Sequence, residues 1–220
     1  MPSSKPVLTY FDLRARAEPI RLLLADLGID YEDRRISDHA EWQRMKPSMP
    51  FGTIPSYQQG ARMLVQSYAI CRHLARVYDL YGRDESDRTA IDIAHEAIRD
   101  IREPMYGFFW RENFEQKRAS YASAELEPAL ATLEQWIRTN SSDPGFVVGS
   151  AATFVDALGF ALLDDVRAQF PDLLTKFGRL AEFHAKYAAR QGIAHYLNSG
   201  RRPKALQMAR DVGLVLDPAA

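Results

Sequence analysis

PFGTIPSYQQGARMLVQSYAICRHLARVYDL, residues 50–80, holds two short runs, a turn and a helix in that order. TIPSY (53–57) and ARMLV (61–65) flank Gln59-Gly60, a hairpin turn signal. From Tyr68 the pattern becomes helical, and Cys71, Leu74 and Tyr78 share one face at i, i+3 and i+7. The helix opens on a polar pair, Gln66-Ser67. A helix N-terminus presents unpaired N–H groups and a partial positive charge. The pair therefore fits two roles: a plain cap, with Ser67 accepting from the helix, or a seat for a carboxylate. Cys71 faces the apolar side, where a thiol behaves as a small hydrophobe.

Toward the N-terminus, VLTYF (7–11) reads as a strand. Pro19 suits a first helical turn, and Ile20, Leu23, Leu24 and Leu27 keep helical spacing until Gly28 stops it. YEDRRI (31–36) is a second strand. The order is β-α-β, an irregular stretch, then β-β-α. An X-Pro bond entering a strand, as at Ile54-Pro55, is a place where a cis peptide occurs.

Beyond the polar, turn-rich YGRDESDR (81–88) the character changes. Ile91, Ala94, Ile98 and Ile101 repeat at helical period, as do Leu126, Leu130, Leu133 and Ile137, with Pro128 marking a kink or a late start. Thr153 with Asp156 signals a helix N-terminus. Further helical patterns cover 173–190 and 193–198. The expected organisation is an α/β domain over residues 1–82 and an all-helical domain over 86–220.

Composition narrows the function. The 220 residues carry a formal net charge of −1, which gives no electrostatic reason for a nucleic acid or membrane partner. No apolar run reaches membrane-span length, and MPSSKPVLTYF lacks the apolar core of a signal peptide. A single cysteine rules out an internal disulfide and a Cys-x-x-Cys pair. A cytoplasmic setting is expected. The five histidines are scattered without ligand spacing, so no metal site is expected.

Several motifs together resemble the cytosolic glutathione S-transferases, tyrosine-using branch, the sigma and pi classes in particular. They are LTYFDLRARAEPIRLLLADLGIDYED (8–33), Trp42 with Lys46, PFGTIPSY (50–57) and QSYAICRHLARVYDLYG (66–82). VVGSAATFVDAL (147–158) resembles the family's Gly-x-x-x-Thr-x-x-Asp signature in the helical domain. The likeness ends near residue 203. It implies a thioredoxin-like N-terminal domain, an all-α C-terminal domain and a homodimer.

The resemblance also implies roles. Tyr10 would donate its hydroxyl to the sulfur of glutathione, the co-substrate. Gln66 and Ser67 would hold the γ-glutamyl carboxylate, with Arg16 nearby. Trp42 and Lys46 would take the glycyl carboxylate. Gly52, Thr53, Ile54 and a cis-Pro55 would offer backbone groups to the cysteinyl unit. Asp100 of the partner subunit would reach the γ-glutamyl amine. Phe11, Leu13 and Arg14 would form one wall for a hydrophobic electrophile, Tyr106 and Trp110 the other, and the tail past Pro203 could cover it. Phe51 would dock into the partner subunit or anchor its own loop.

Two departures stand out. Ala152 and Ala157 replace the large apolar residues that usually staple the capping box. Arg14-Ala15-Arg16 stands where many relatives have Arg-Gly-Arg. The alternatives to a transferase are a glutathione-dependent isomerase or peroxidase, and a non-catalytic crystallin-like relative. The presence of Tyr10, Trp42, Lys46, Gln66 and Ser67 favours an enzyme.

Overall fold

The computed structural model describes residues 5–109 and 114–204. Contacts gather these into two compact units: residues 5–74 with 191–204, and residues 75–190.

The first unit begins with β1 (Val7–Phe11), α1 (Glu18–Asp26) and β2 (Glu32–Ile36). Next come α2 (His39–Met45), β3 (Ser56–Gln59), β4 (Arg62–Val65) and α3 (Ser67–Val77). The sheet order is β2-β1-β3-β4, with β1 parallel to β2 and antiparallel to β3. This is the thioredoxin-like arrangement. Glu18 through Leu24 are all buried, and α1 ends as Gly28 predicts. Gly28 has φ +64, its N–H donates to Ala25, and the Ile29 N–H donates to Leu24. That pair of bonds satisfies the last carbonyls of the helix.

Two local readings shift. β3 starts at Ser56 rather than Thr53, because Pro55 has no N–H to give the ladder. The stretch read as irregular contains α2, started by Asp38, whose carboxylate accepts from the Glu41 N–H at 2.7 Å. Cys71 is fully buried beside Ile70 and Leu74, as its place on the apolar face implies.

The second unit is helical: α4 (Glu85–Phe109), α5 (Phe114–Tyr121), a π-helical turn (Ala122–Leu126), α6 (Glu127–Asn140), α7 (Phe154–Gln169) and α8 (Gly178–Ala188). Pro128 sits in the first turn of α6, directly after the π-helical turn, so the helix carries on through it from α5 rather than starting late. α7 is buried on almost every side and packs against α4 and α8. The buried Asp156 carboxylate accepts from the N–H groups of Thr153 at 2.9 Å and Val147 at 2.8 Å. Arg190 reaches the same carboxylate at 3.4 Å and lies over the rings of Phe146 and Tyr187. With only alanines at the staple positions, this ion pair ties the helix start to its surroundings.

The last helix among the described residues, α9 (Gln191–Asn198), groups with the first unit, where the sequence patterns had placed it with the other helices. It packs on α1 so closely that a Cβ at Gly192 would stand 2.2 Å from the Ala25 carbonyl oxygen. Only glycine permits that approach.

Candidate active site

Tyr10 lies near the end of β1, 5% exposed, with its ring 5.5 Å from that of the equally buried Phe11. Phe11 in turn meets Trp42 of α2 edge-on at 5.8 Å. One turn later, Lys46 runs its stem past Gly52: a Cβ there would lie 3.5 Å from the lysine Cγ. Gly52 has φ +59, and the Ile54-Pro55 bond that follows is cis. The β3–β4 hairpin then returns the chain to Gln66, which is held at φ +71. The Gln66 carbonyl accepts from the Ile70 N–H at 3.0 Å, so Gln66 occupies the flanking position of α3. Ser67 is the first helical residue and is buried. The plain reading of Ser67 as the cap therefore gives way: Gln66 stands there in a left-handed backbone.

These elements enclose one cavity of about 370 Å³. Tyr10, Arg16, Trp42 and Lys46 line it, as do Gly52, Thr53, Ile54 and Pro55, with Gln66 and Ser67 at the helix start. The volume lies in the range of small-molecule sites. Arg16, Lys46 and the N-terminus of α3 all favour negative charge, and no Asp or Glu among the described residues lines the cavity. A ligand with carboxylates suits it.

The cavity also takes in His39 and Gln43, which the sequence reading passed over. Their side-chain nitrogens lie 2.9 Å apart. His39, Trp42, Gln43 and Lys46 follow i, i+3, i+4 and i+7, one face of α2. The signal was Asp38 followed three residues on by Glu41, a helix start inside a stretch read as irregular.

The remaining expected residues are elsewhere. Phe11 lines the cavity, but Leu13 is buried and its carbonyl accepts from Arg21 at 2.8 Å. Arg14 donates from Nε to the Pro203 carbonyl at 2.9 Å. In the second unit, Asp100 is exposed on α4 and pairs with Arg99 at 2.9 Å. Tyr106 is buried, donates its hydroxyl to Asp165 at 3.0 Å, and lies under the Arg102 guanidinium. Trp110 and the tail past Lys204 lie outside the described residues. Among the described residues, no cluster of His, Cys, Asp and Glu is arranged to hold a metal.

Residues 6–76 match the family described as Glutathione S-transferase, N-terminal domain, and residues 99–200 match Glutathione S-transferase, C-terminal domain. The chain is 39% identical over 191 residues to Glutathione S-transferase P of Caenorhabditis elegans, covering 87% of this chain and 91% of that one. The chain belongs to the glutathione S-transferase family. Solved structures of the family agree with that membership. The Onchocerca volvulus pi-class glutathione S-transferase superposes with a TM-score of 0.85 at 32% identity, covering 91% of this chain and 97% of its own. The Fasciola hepatica sigma class enzyme gives 0.81 at 28% identity, covering 89% and 96%. They are a pi-class and a sigma-class protein, the two glutathione S-transferase classes that the motifs of this chain resemble. The family's N-terminal domain match spans every residue that lines the cavity.

Proposed function

We propose that the protein is a glutathione transferase in which Tyr10 holds the glutathione sulfur as a thiolate for attack on a hydrophobic electrophile. One observation carries this reading: ten residues scattered from position 10 to position 67, each expected to touch glutathione, line a single cavity. Glutathione has two carboxylates and one thiol. Lys46 with the Trp42 indole N–H takes one carboxylate. Gln66, Ser67 and the start of α3 take the other, with Arg16 adding charge.

A free thiol has a pKa near ~8.5 and is mostly protonated at neutral pH. A hydroxyl that donates to the sulfur favours the charged form and lowers that value. The thiol proton leaves to solvent on binding. The sulfur lone pair then forms the new S–C bond, and the electrophile's leaving group or displaced π electrons take the negative charge. Binding also supplies proximity and orientation.

The protein acts as a homodimer in the cytoplasm, on this reading. Phe51 supports the dimer: it is 84% exposed at φ +57, so it anchors no loop within its own chain and is presented outward. Asp100, exposed on α4, would reach the γ-glutamyl amine bound to the partner subunit. No helix among the described residues is long and apolar enough to cross a membrane.

The test is a pH titration of thiolate ultraviolet absorbance with bound glutathione, for the native protein and Tyr10→Phe. A bound thiol pKa well below the free value that rises in the variant supports the mechanism. Binding with an unshifted thiol overturns it in favour of a ligand-binding relative. Absence of binding removes the site assignment altogether.

A further inference from the structure

Arg14, expected to face the second substrate, instead spans 189 residues of chain to bond the carbonyl of Pro203 at 2.9 Å. It is one of several ties that residues 201–203 make to the loop after β1, to α1 and to β2 with its approach. Arg35 on β2 donates from Nη1 to Asp12 at 2.9 Å and from Nη2 to the carbonyl of Arg201. Arg202 donates to Glu18 at 2.7 Å, and the Arg201 guanidinium lies over the Tyr31 ring at 5.4 Å. Pro203 itself is buried. From the other side, buried Arg21 holds the carbonyl of Leu13. Asp12 and Leu13 are therefore held by the guanidinium groups of Arg35 and Arg21, and Arg14 is tied through its own guanidinium to Pro203; Arg35 and Arg14 both reach residues 201–203.

We propose that the strap Arg201–Pro203 is a working part of the thiolate site, and that Arg14 is a positioning residue which acts through it. The clamped loop begins two residues after Tyr10 and carries Arg16, which lines the cavity. Its backbone needs outside support, because Ala15 sits at φ +32, a region that residues with a Cβ rarely adopt. A carbonyl acceptor fixes where the Arg14 guanidinium stands, and with it the loop between the end of β1 and the start of α1. Release of the strap lets the loop relax, and Tyr10 and Arg16 lose their aim at the sulfur and the γ-glutamyl end. This inference rests on the tyrosine mechanism proposed above.

The experiment compares four full-length or shortened proteins by the pH midpoint of bound-thiol absorbance: native, Arg14→Gln, a chain ending at Lys204 and a chain ending at Gly200. Arg14→Gln in the chain ending at Gly200 completes a double-mutant cycle. Glutathione affinity and unfolding temperature are read alongside. The expected result is a rise of about one pH unit in the midpoint, a tenfold loss of thiolate at fixed pH. It appears in Arg14→Gln and in the chain ending at Gly200, with no further rise when the two are combined. The chain ending at Lys204 keeps the native midpoint. Additive rises would mean Arg14 acts on the sulfur by charge alone, and would overturn the proposal. So would a chain ending at Gly200 that loses thermal stability but keeps the native midpoint. If that chain does not fold, Arg14→Gln decides: an unchanged midpoint overturns the proposal. A native protein whose midpoint ignores Tyr10→Phe would instead sink the tyrosine mechanism, which separates the two failures.

Discussion

Tyr196 donates its hydroxyl to Glu18 at 3.1 Å, joining α9 to the start of α1 where both side chains are buried. Burial and the neighbouring carboxylate push the Tyr196 hydroxyl well above the usual tyrosine range, so it stays a donor through the alkaline range. Glu18 also takes Arg202 at 2.7 Å. Tyr196→Phe leaves one carboxylate oxygen without its closest donor. A loss of about 1–3 kcal/mol in folding stability is expected, read from the midpoint of urea unfolding. An unchanged midpoint would mean water replaces the hydroxyl at no cost.

On the proposed mechanism, Tyr10→Phe removes a hydrogen bond to a charged sulfur, an interaction worth roughly 1.5–3 kcal/mol. Turnover at neutral pH is expected to fall about ten- to a hundredfold. The defect should shrink as pH approaches ~8.5, where the free thiol ionises unaided. A pH-independent defect would assign Tyr10 a role other than thiolate stabilisation.

Ala15 at φ +32 invites a stabilising change. Glycine accepts this backbone without the Cβ clash, which costs other residues about 1–2 kcal/mol. It gives back roughly 0.5–1 kcal/mol in unfolded-state entropy. Ala15→Gly is expected to raise the unfolding temperature slightly, and calorimetry that shows a drop would refute the strain.

Asp156 is fully buried, and burial pushes its carboxyl up to about 6 against the pull of Arg190 and two N–H donors. The folded value lies above the unfolded value of ~3.9. The folded state therefore binds the proton more readily in that window, and stability from this group falls as pH rises from about 4 to 6. Asp156→Asn removes the titration. The native protein's advantage over the variant should thus be largest near pH 4 and diminish toward pH 7, by about 3 kcal/mol at most. Paired denaturant titrations across that range check it, and an advantage that grows with pH would show the ion pair with Arg190 dominating.

Phe51 stands exposed on a left-handed backbone, between Pro50 and Gly52. Burial of such a ring against a second subunit contributes about 1.5–3 kcal/mol. For the proposed homodimer, Phe51→Asp is expected to shift sedimentation from dimer toward monomer at micromolar concentration. An unaltered distribution would place the contact elsewhere.

Local chemistry made much of the site legible before any coordinates. Pro55, Gly60 and the Gln66-Ser67 pair each restrict the backbone or expose donors in ways that short-range rules capture. Periodicity marked α1 and α3 and sorted Cys71 into the core. Three features escaped: α2, the cavity roles of His39 and Gln43, and the docking of α9 on α1. Helix α2 has seven residues, too short for hydrophobic period to stand out, and its start rests on the single Asp38 cap. The packing of α9 on α1 depends on Gly192 meeting a carbonyl 167 positions earlier, which no local pattern encodes.

The amino-acid sequence by itself determined the β-α-β and β-β-α order of the first unit apart from α2, the hairpin turn at Gln59-Gly60, the stop of α1 at Gly28 and the helix start at Thr153. Those properties follow from backbone sterics and side-chain chemistry within a few residues. The tertiary structure alone decided that Tyr10, Arg16, Trp42, Lys46 and Ser67 share one cavity, and that Arg14 turns to Pro203 rather than to a substrate. Side-chain direction is set by which distant groups arrive to satisfy it. A guanidinium whose acceptor lies 189 residues away has no local cue to where it will point.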